Sequence, residues 1–190
     1  MEAGHDLDVE SMGINGDFSM TGGTLSVDTF NGTLNQSGGT LSPGDSPGIT
    51  NIVGDYNLTG TGILDIEILS PGLTAGVDFD QVLVSGNATL DGTIAFNFVG
   101  DDSYVVPDWG ITFLIADLAV SPLNPGDITF TLTGLDPLLG LDHDDFEMSY
   151  ISGNTGVNFG LPAGPVIPEP ATMVMFGLAG LGMAVKRFGK

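Results

Sequence analysis

Alternating apolar and polar residues fill most of the chain between positions 13 and 161. In a strand, successive side chains point to opposite faces, so this alternation buries one face and leaves the other in water. No segment of this range shows the period of an amphipathic helix. The pattern therefore predicts an all-β domain. The clearest apolar positions are Leu64, Ile66 and Ile68; Ile94, Phe96 and Phe98; Ile111, Phe113 and Ile115; and Ile128, Phe130 and Leu132.

Two short patterns occur twice in the first third of the chain. The run at 16–22 is echoed at 54–60, and Gly-Gly-Thr-Leu occurs at 22–25 and again at 38–41. Weak internal repetition of this kind is typical of stacked rungs, with glycine and proline where the chain turns. A β-sandwich is the alternative, because the spacing between strands is irregular and the sequence does not distinguish parallel from antiparallel pairing.

Residues 36–99 resemble the passenger repeats of autotransporter-like proteins. The resemblance rests on the segments Gly38–Gly48, Gly54–Tyr56, Asp80–Val82 and Gly86–Ala88. It implies a right-handed parallel β-helix or a similar solenoid for the domain at 1–161. The N-terminus shows neither a positively charged region nor an apolar one, so no signal peptide is visible. We therefore expect the sequence to begin inside a longer protein.

The tail at 162–190 differs from the domain. A Pro-rich linker at 162–170 precedes an apolar stretch at 171–185, and Lys186, Arg187 and Lys190 follow. As a helix, the apolar stretch would measure roughly 22 Å, against about 30 Å for a hydrocarbon core. Because it has no polar face, it predicts a short transmembrane helix. The basic residues place the end of the chain at 186–190 in the cytoplasm and the domain across the membrane.

The triplet Pro168, Glu169 and Pro170, the apolar helix and the terminal basic cluster together resemble PEP-CTERM sorting signals. The resemblance covers residues 166–190 and makes the triplet the recognition motif. It implies that the partners are the bacterial inner membrane and an exosortase, which processes such tails. It also implies an association with exopolysaccharide and biofilm production.

The net charge of the chain argues against two classes of binding partner. The 190 residues contain 24 Asp and Glu against 3 Lys and Arg, and the formal net charge is −21. Such a chain is repelled by nucleic acid and by acidic membrane surfaces. Since residues 1–185 contain no Lys or Arg, the carboxylates there must be solvated, hydrogen-bonded or held by external cations. Cysteine is absent, which excludes disulfides and thiol catalysis.

The sequence offers few candidate catalytic or metal-binding residues. The pattern Gly44-Asp45-Ser46-Pro47-Gly48 matches that of a nucleophile elbow, but Pro47 has no N–H for an oxyanion hole, so the segment is interpreted as a turn. No catalytic or cofactor-binding residue is predicted. The acidic cluster at 142–147 provides candidate Ca²⁺ ligands, with a solvated loop as the alternative. These candidates are Asp142, Asp144, Asp145 and Glu147.

The sequence thus predicts a non-enzymatic bacterial surface or matrix protein that is exported, anchored by its tail and then processed. Two alternatives stay open: a glycan-active enzyme on a β-helix, and an adhesin that binds ice or carbohydrate. An elimination mechanism on uronates is disfavoured, because residues 1–185 offer no Lys or Arg to neutralise the substrate.

Overall fold

A computed structural model describes residues 6–70, 74–100, 112–118, 129–135, 142–150 and 156–160. These ranges cover most of the predicted domain. The linker, the Pro-Glu-Pro triplet, the predicted transmembrane helix at 171–185 and the basic tail at 186–190 lie outside them. Within the described ranges, no helix has the length and apolar character needed to cross a bilayer.

The described ranges are mostly strand, which confirms the all-β prediction. Their only helical element is a 3₁₀ turn at His143–Asp145. The nine strands are β1 (Asp6–Pro43), β2 (Ile49–Val53), β3 (Tyr56–Ile68), β4 (Gln81–Val84), β5 (Ala88–Phe98), β6 (Thr112–Leu118), β7 (Thr129–Thr133), β8 (Glu147–Tyr150) and β9 (Gly156–Gly160).

The strands form one curled sheet in the order β7-β5-β3-β1-β2-β4-β6-β9-β8. All pairs from β7 to β6 are parallel, and only the β6–β9 and β9–β8 pairs are antiparallel. Two-sheet sandwiches are built from antiparallel strands, so this pairing argues against the β-sandwich alternative. Strand β1 pairs on both sides, with β2 through Thr29 and with β3 through Leu34.

Strand β1 is bent back on itself. Its 38 residues would span about 125 Å if they were straight. A Cβ atom added to Gly39 would lie 2.6 Å from the carbonyl oxygen of Gly23, and Gly39 has φ +78°. The second Gly-Gly-Thr-Leu copy therefore lies against the first, as the repeat predicts. Only glycine permits this approach and this backbone angle together.

Parallel register stacks apolar side chains into columns. One column runs through Leu41, Leu64, Ile94 and Phe130, which pair in this order from β1 to β7. The first three are fully buried, and Phe130 is half-buried. The predicted alternation in β3, β5 and β7 is confirmed, except at Ile128, which lies outside the described residues. For the predicted strand at 111–115, the structure confirms strand backbone from Thr112 onward in β6. It does not describe the side chains of this strand.

Aromatic rings cover the core beside β5 and β7. Phe159 stacks on Phe96 with ring centroids 3.6 Å apart, and Phe146 stacks on Phe159 at 5.2 Å. His143 lies flat against Phe130 at 4.2 Å. The antiparallel β8–β9 pair and the 3₁₀ turn thus cover the end of the column in β7, where Phe130 is half-buried.

Candidate functional site

Glycines Gly32, Gly54 and Gly86 form a corner where the chain turns between neighbouring strand segments. The Gly86 amide donates to the Gly54 carbonyl at 2.9 Å. Gly54 has φ +153°, and a Cβ atom there would overlap the carbonyl oxygen of Gly32. Beside this glycine corner, the half-buried side chain of Asp55 accepts from the Asn87 amide at 2.7 Å, and the Gly54 amide donates to the Ser85 hydroxyl at 3.0 Å. The corner therefore consists of backbone groups in close contact, with one hydroxyl and one carboxylate at its edge.

A second cluster lies where the chain passes from β1 to β2 and from β3 to β4. We call it the acidic junction and define it as Ser46, Gly48, Glu67 and Asp80. Asp80 is only 1% exposed. Its Oδ1 accepts from the Gly48 amide at 2.6 Å and its Oδ2 from the Glu67 amide at 2.8 Å. One buried carboxyl group thus joins three segments that are distant in sequence.

Carboxyl groups dominate the electrostatics of the acidic junction. Burial raises the pKa of Asp80 to about 7, against the opposing effect of its two amide donors. Burial also raises the pKa of Glu67, and the nearby charge of Asp65 adds to this. The pKa of Asp65 is raised by burial as well. Desolvation disfavours a charged carboxylate, and residues 1–185 contain no Lys or Arg to offset it.

The Gly44–Gly48 segment connects β1 to β2, as the turn interpretation predicts. The Ser46 hydroxyl donates to the Glu67 carboxylate, and the Ser46–Pro47 bond is cis. A nucleophile elbow needs a helix directly after the serine, whereas a strand follows here. In the structure, Ser46 is a partner of Glu67 at the acidic junction.

The candidate Ca²⁺ ligands lie around the 3₁₀ turn. Asp142 accepts from the Asp144 amide at 2.9 Å, and Asp145 accepts from the Asp142 amide at 2.8 Å. These two carboxylates form a reciprocal cap of the turn. Glu147 opens strand β8 and is exposed. Within the described ranges, no three acidic or histidine side chains converge as a metal site, and Ca²⁺ binding stays a prediction.

Polar side chains form hydrogen-bonded ladders on the outer face of the sheet. Asn57 donates to Asn35 at 2.8 Å across β3 and β1. On the next strands, Asn97 donates to Asp65 and accepts from Thr133. The face therefore presents amide, hydroxyl and carboxylate groups in rows that run across the parallel strands. Such groups can exchange hydrogen bonds with the hydroxyls of a polymer.

Comparison with known proteins identifies the tail. Residues 166–187 match the family model described as the PEP-CTERM protein-sorting motif. The match includes the Pro168–Pro170 triplet, the apolar stretch, Lys186 and Arg187, and it ends before Lys190. Searches of curated proteins and of solved structures found no match. The motif supports export, membrane-associated sorting toward the cell surface and processing by an exosortase. The predicted likeness to autotransporter-like repeats is not confirmed.

Sequence reasoning missed the acidic junction. Asp80 follows Phe79 in a segment that reads as one more acidic loop. Its buried partner Gly48 lies 32 residues earlier. The ladder pair Asp65 and Asn97 has the same separation of 32 residues, but other ladder partners are 22 and 36 residues apart, so the sequence offers no constant spacing that would reveal the contact.

Proposed function

We propose that this chain is a non-enzymatic bacterial surface or extracellular matrix protein, whose β domain is displayed outside the cell and whose tail is removed by an exosortase. The observation that carries the proposal is the PEP-CTERM match at 166–187. The Pro-Glu-Pro triplet, the apolar stretch and the basic cluster occur there in the order that such a signal requires.

In this account, each part of the tail has a physical task. The apolar stretch at 171–185 forms a helix in the inner membrane, and Lys186 and Arg187 hold its end in the cytoplasm. The triplet at 168–170 then lies at the outer boundary of the membrane. Its prolines keep the chain extended and outside any helix, so that the motif is accessible to a protease.

We further propose that the domain is a parallel β-helix. The stacked columns, the parallel pairs and the bent β1 strand support this architecture. Ladder partners are 22 residues apart between Asn35 and Asn57, 32 between Asp65 and Asn97, and 36 between Asn97 and Thr133. Rungs of unequal length fit a solenoid whose turns carry insertions.

The partner of the displayed domain in this proposal is exopolysaccharide. The polar ladders of the outer face offer donors and acceptors to sugar hydroxyls, and the acidic side chains can bind acidic polymers through Ca²⁺. Pull-down with purified exopolysaccharide, with and without EDTA, tests this part. Binding that EDTA abolishes supports bridging by Ca²⁺, and binding that resists EDTA supports direct contact. Absence of binding in both conditions removes the proposed partner.

The sorting proposal is tested with a tail variant in the native host. Replacing Pro168, Glu169 and Pro170 by alanine should leave the unprocessed protein in the inner-membrane fraction. Pro165→Ala is the matched control, because it removes a nearby proline that lies outside the matched residues. The control should reach the surface like the unmodified protein. Equal surface delivery of the triple variant would refute recognition of the triplet.

A further inference from the structure

We propose that Asp80 is a pH-dependent clamp, which holds the 44–48 turn and the end of β3 to the start of β4 and loosens as the pH rises toward and through neutrality. The clamp does not depend on the proposed sorting function. It rests on the position of one buried carboxyl group between two backbone amides, in a part of the chain without basic side chains.

The geometry makes Asp80 the meeting point of three segments. The Gly48 amide donates to Oδ1 and the Glu67 amide donates to Oδ2. Backbone bonds run beside both contacts: the Asp80 amide donates to the Glu67 carbonyl at 2.9 Å, and the Gln81 amide donates to the Gly48 carbonyl at 3.0 Å. Opening of the Asp80 contacts therefore exposes amides of the turn and of β3 together.

The charged groups around the clamp are all acidic. Strand β3 contributes Asp65 and Glu67, whose charges act on Asp80. The 44–48 turn contains Asp45, and its Ser46 hydroxyl is engaged by Glu67. The segment before β4 contains Asp78, which accepts from the Ser70 hydroxyl and the Thr74 amide; these bonds lower its pKa. The two amide donors are the groups on Asp80 that favour its charged form.

The direction of the effect follows from proton linkage. The pKa of the clamped carboxyl is raised to about 7, whereas an open, solvated Asp has its ordinary value near 4. The closed state therefore binds the proton more tightly than the open state does. Below pH 4 both states are protonated, and the preference for the closed state is complete. It is lost as the pH rises toward and through 7, by about tenfold between pH 6 and pH 8.

Amide hydrogen exchange on the full chain, kept in mild detergent, tests the clamp. After correction for the intrinsic pH dependence of exchange, protection at Gly48 and Glu67 should fall about tenfold from pH 6 to pH 8. The matched control is the Asn87 amide, which donates to the half-buried Asp55 carboxylate outside the acidic junction. Its protection should stay constant. Constant protection at Gly48 and Glu67, or an equal fall at Asn87, would overturn the proposal.

A second measurement requires no variant. Carbon NMR of the Asp80 carboxyl in the unmodified chain should show a titration midpoint near neutral pH. A midpoint near 4 would overturn the clamp. Asp80→Asn should abolish the pH dependence at the Gly48 amide, and Asp55→Asn should leave it unchanged. If Asp80→Asn does not fold, the carboxyl titration decides by itself.

Discussion

The glycine corner and the acidic junction provide hydrogen-bond partners for backbone amides in different ways. At each of them the chain leaves one strand segment for the next, and backbone amides lose their ladder partners. The corner brings backbone onto backbone, with the Gly86 amide donating to the Gly54 carbonyl, while the Gly54 amide donates to the Ser85 hydroxyl. The junction instead places a buried side chain, Asp80, against the amides of Gly48 and Glu67.

The two places therefore differ in how their contribution to stability depends on pH. Backbone carbonyls do not titrate, so the bond from the Gly86 amide to the Gly54 carbonyl contributes equally at every pH at which the protein is folded. A buried carboxyl does titrate, and each unit of pKa shift corresponds to about 1.4 kcal/mol. The junction therefore connects the stability of the domain to the pH of its surroundings. Substitutions at the two places should differ in size and in pH dependence.

The largest effect should come from Gly54→Ala. The new Cβ atom would overlap the Gly32 carbonyl, and φ at this position is +153°. We expect a loss of more than about 3 kcal/mol in the free energy of unfolding, or failure to fold, because overlap and backbone strain add. Urea denaturation followed by circular dichroism measures this loss.

Substitutions at two further glycines separate the effect of atomic overlap from the effect of backbone strain. Gly16→Ala has φ +133° but open space around the Cβ atom, so only strain of about 1–2 kcal/mol is expected. Gly13→Ala has open space and no left-handed angle and should be close to neutral. Equal losses for Gly54→Ala and Gly16→Ala would show that the close approach at the corner is unimportant.

The next largest effect should come from Asp80→Asn. Asparagine keeps one acceptor oxygen, so one of the two buried amides loses its partner. This costs about 1–3 kcal/mol in the free energy of unfolding. Asp55→Asn at the edge of the corner should cost well under 1 kcal/mol, because the bond from the Asn87 amide is exposed and water can replace the lost acceptor. A larger loss for Asp55→Asn than for Asp80→Asn would show that the burial of Asp80 does not determine the cost.

The next prediction concerns the unmodified chain and the dependence of its free energy of unfolding on pH. Its free energy of unfolding should decrease as pH rises from 5.5 to 7, by up to about 1 kcal/mol per unit from Asp80, because the raised pKa favours the protonated folded state. Asp65 and Glu67 act in the same direction. Asp80→Asn should flatten this slope. Parallel slopes for the two proteins would assign the pH dependence to general charge repulsion.

A modest effect that does not depend on pH should come from Tyr56→Phe. The buried Tyr56 hydroxyl donates to the Gln36 side-chain oxygen at 2.8 Å, and burial raises the pKa of Tyr56. The bond is therefore neutral between pH 6 and pH 8, and its loss should cost about 1 kcal/mol. The cost, measured by denaturation at both pH values, should be the same. A cost that changes between these pH values would show that the neutral interior also responds to pH.

The sequence allowed prediction of those features that are encoded locally. Alternation in 64–68 and 94–98 places the apolar side chains of β3 and β5 inside. The repeated Gly-Gly-Thr-Leu predicts stacked segments, and the close approach of Gly39 to Gly23 agrees with that prediction. The sorting signal was also accessible, because the Pro-Glu-Pro triplet, the apolar stretch and the basic residues form one continuous motif.

The acidic junction could not be predicted in the same way. Asp80 is buried only because the 44–48 turn and the end of β3 meet over it, and this depends on which strands pair and in which register. Irregular spacing between ladder partners, 22 residues in one case and 36 in another, concealed that register. The sequence also left parallel and antiparallel pairing undecided, because alternation is the same in both.

The central claim is that the tail is a processed sorting signal, and the intact mass of the mature protein from its native host tests it most directly. The C-terminal peptide and cell fractionation should be measured on the same sample. We predict that the mature protein lacks residues 171–190 and is found at the surface or in the medium. A protein that keeps its full tail and stays in the inner membrane would contradict the claim.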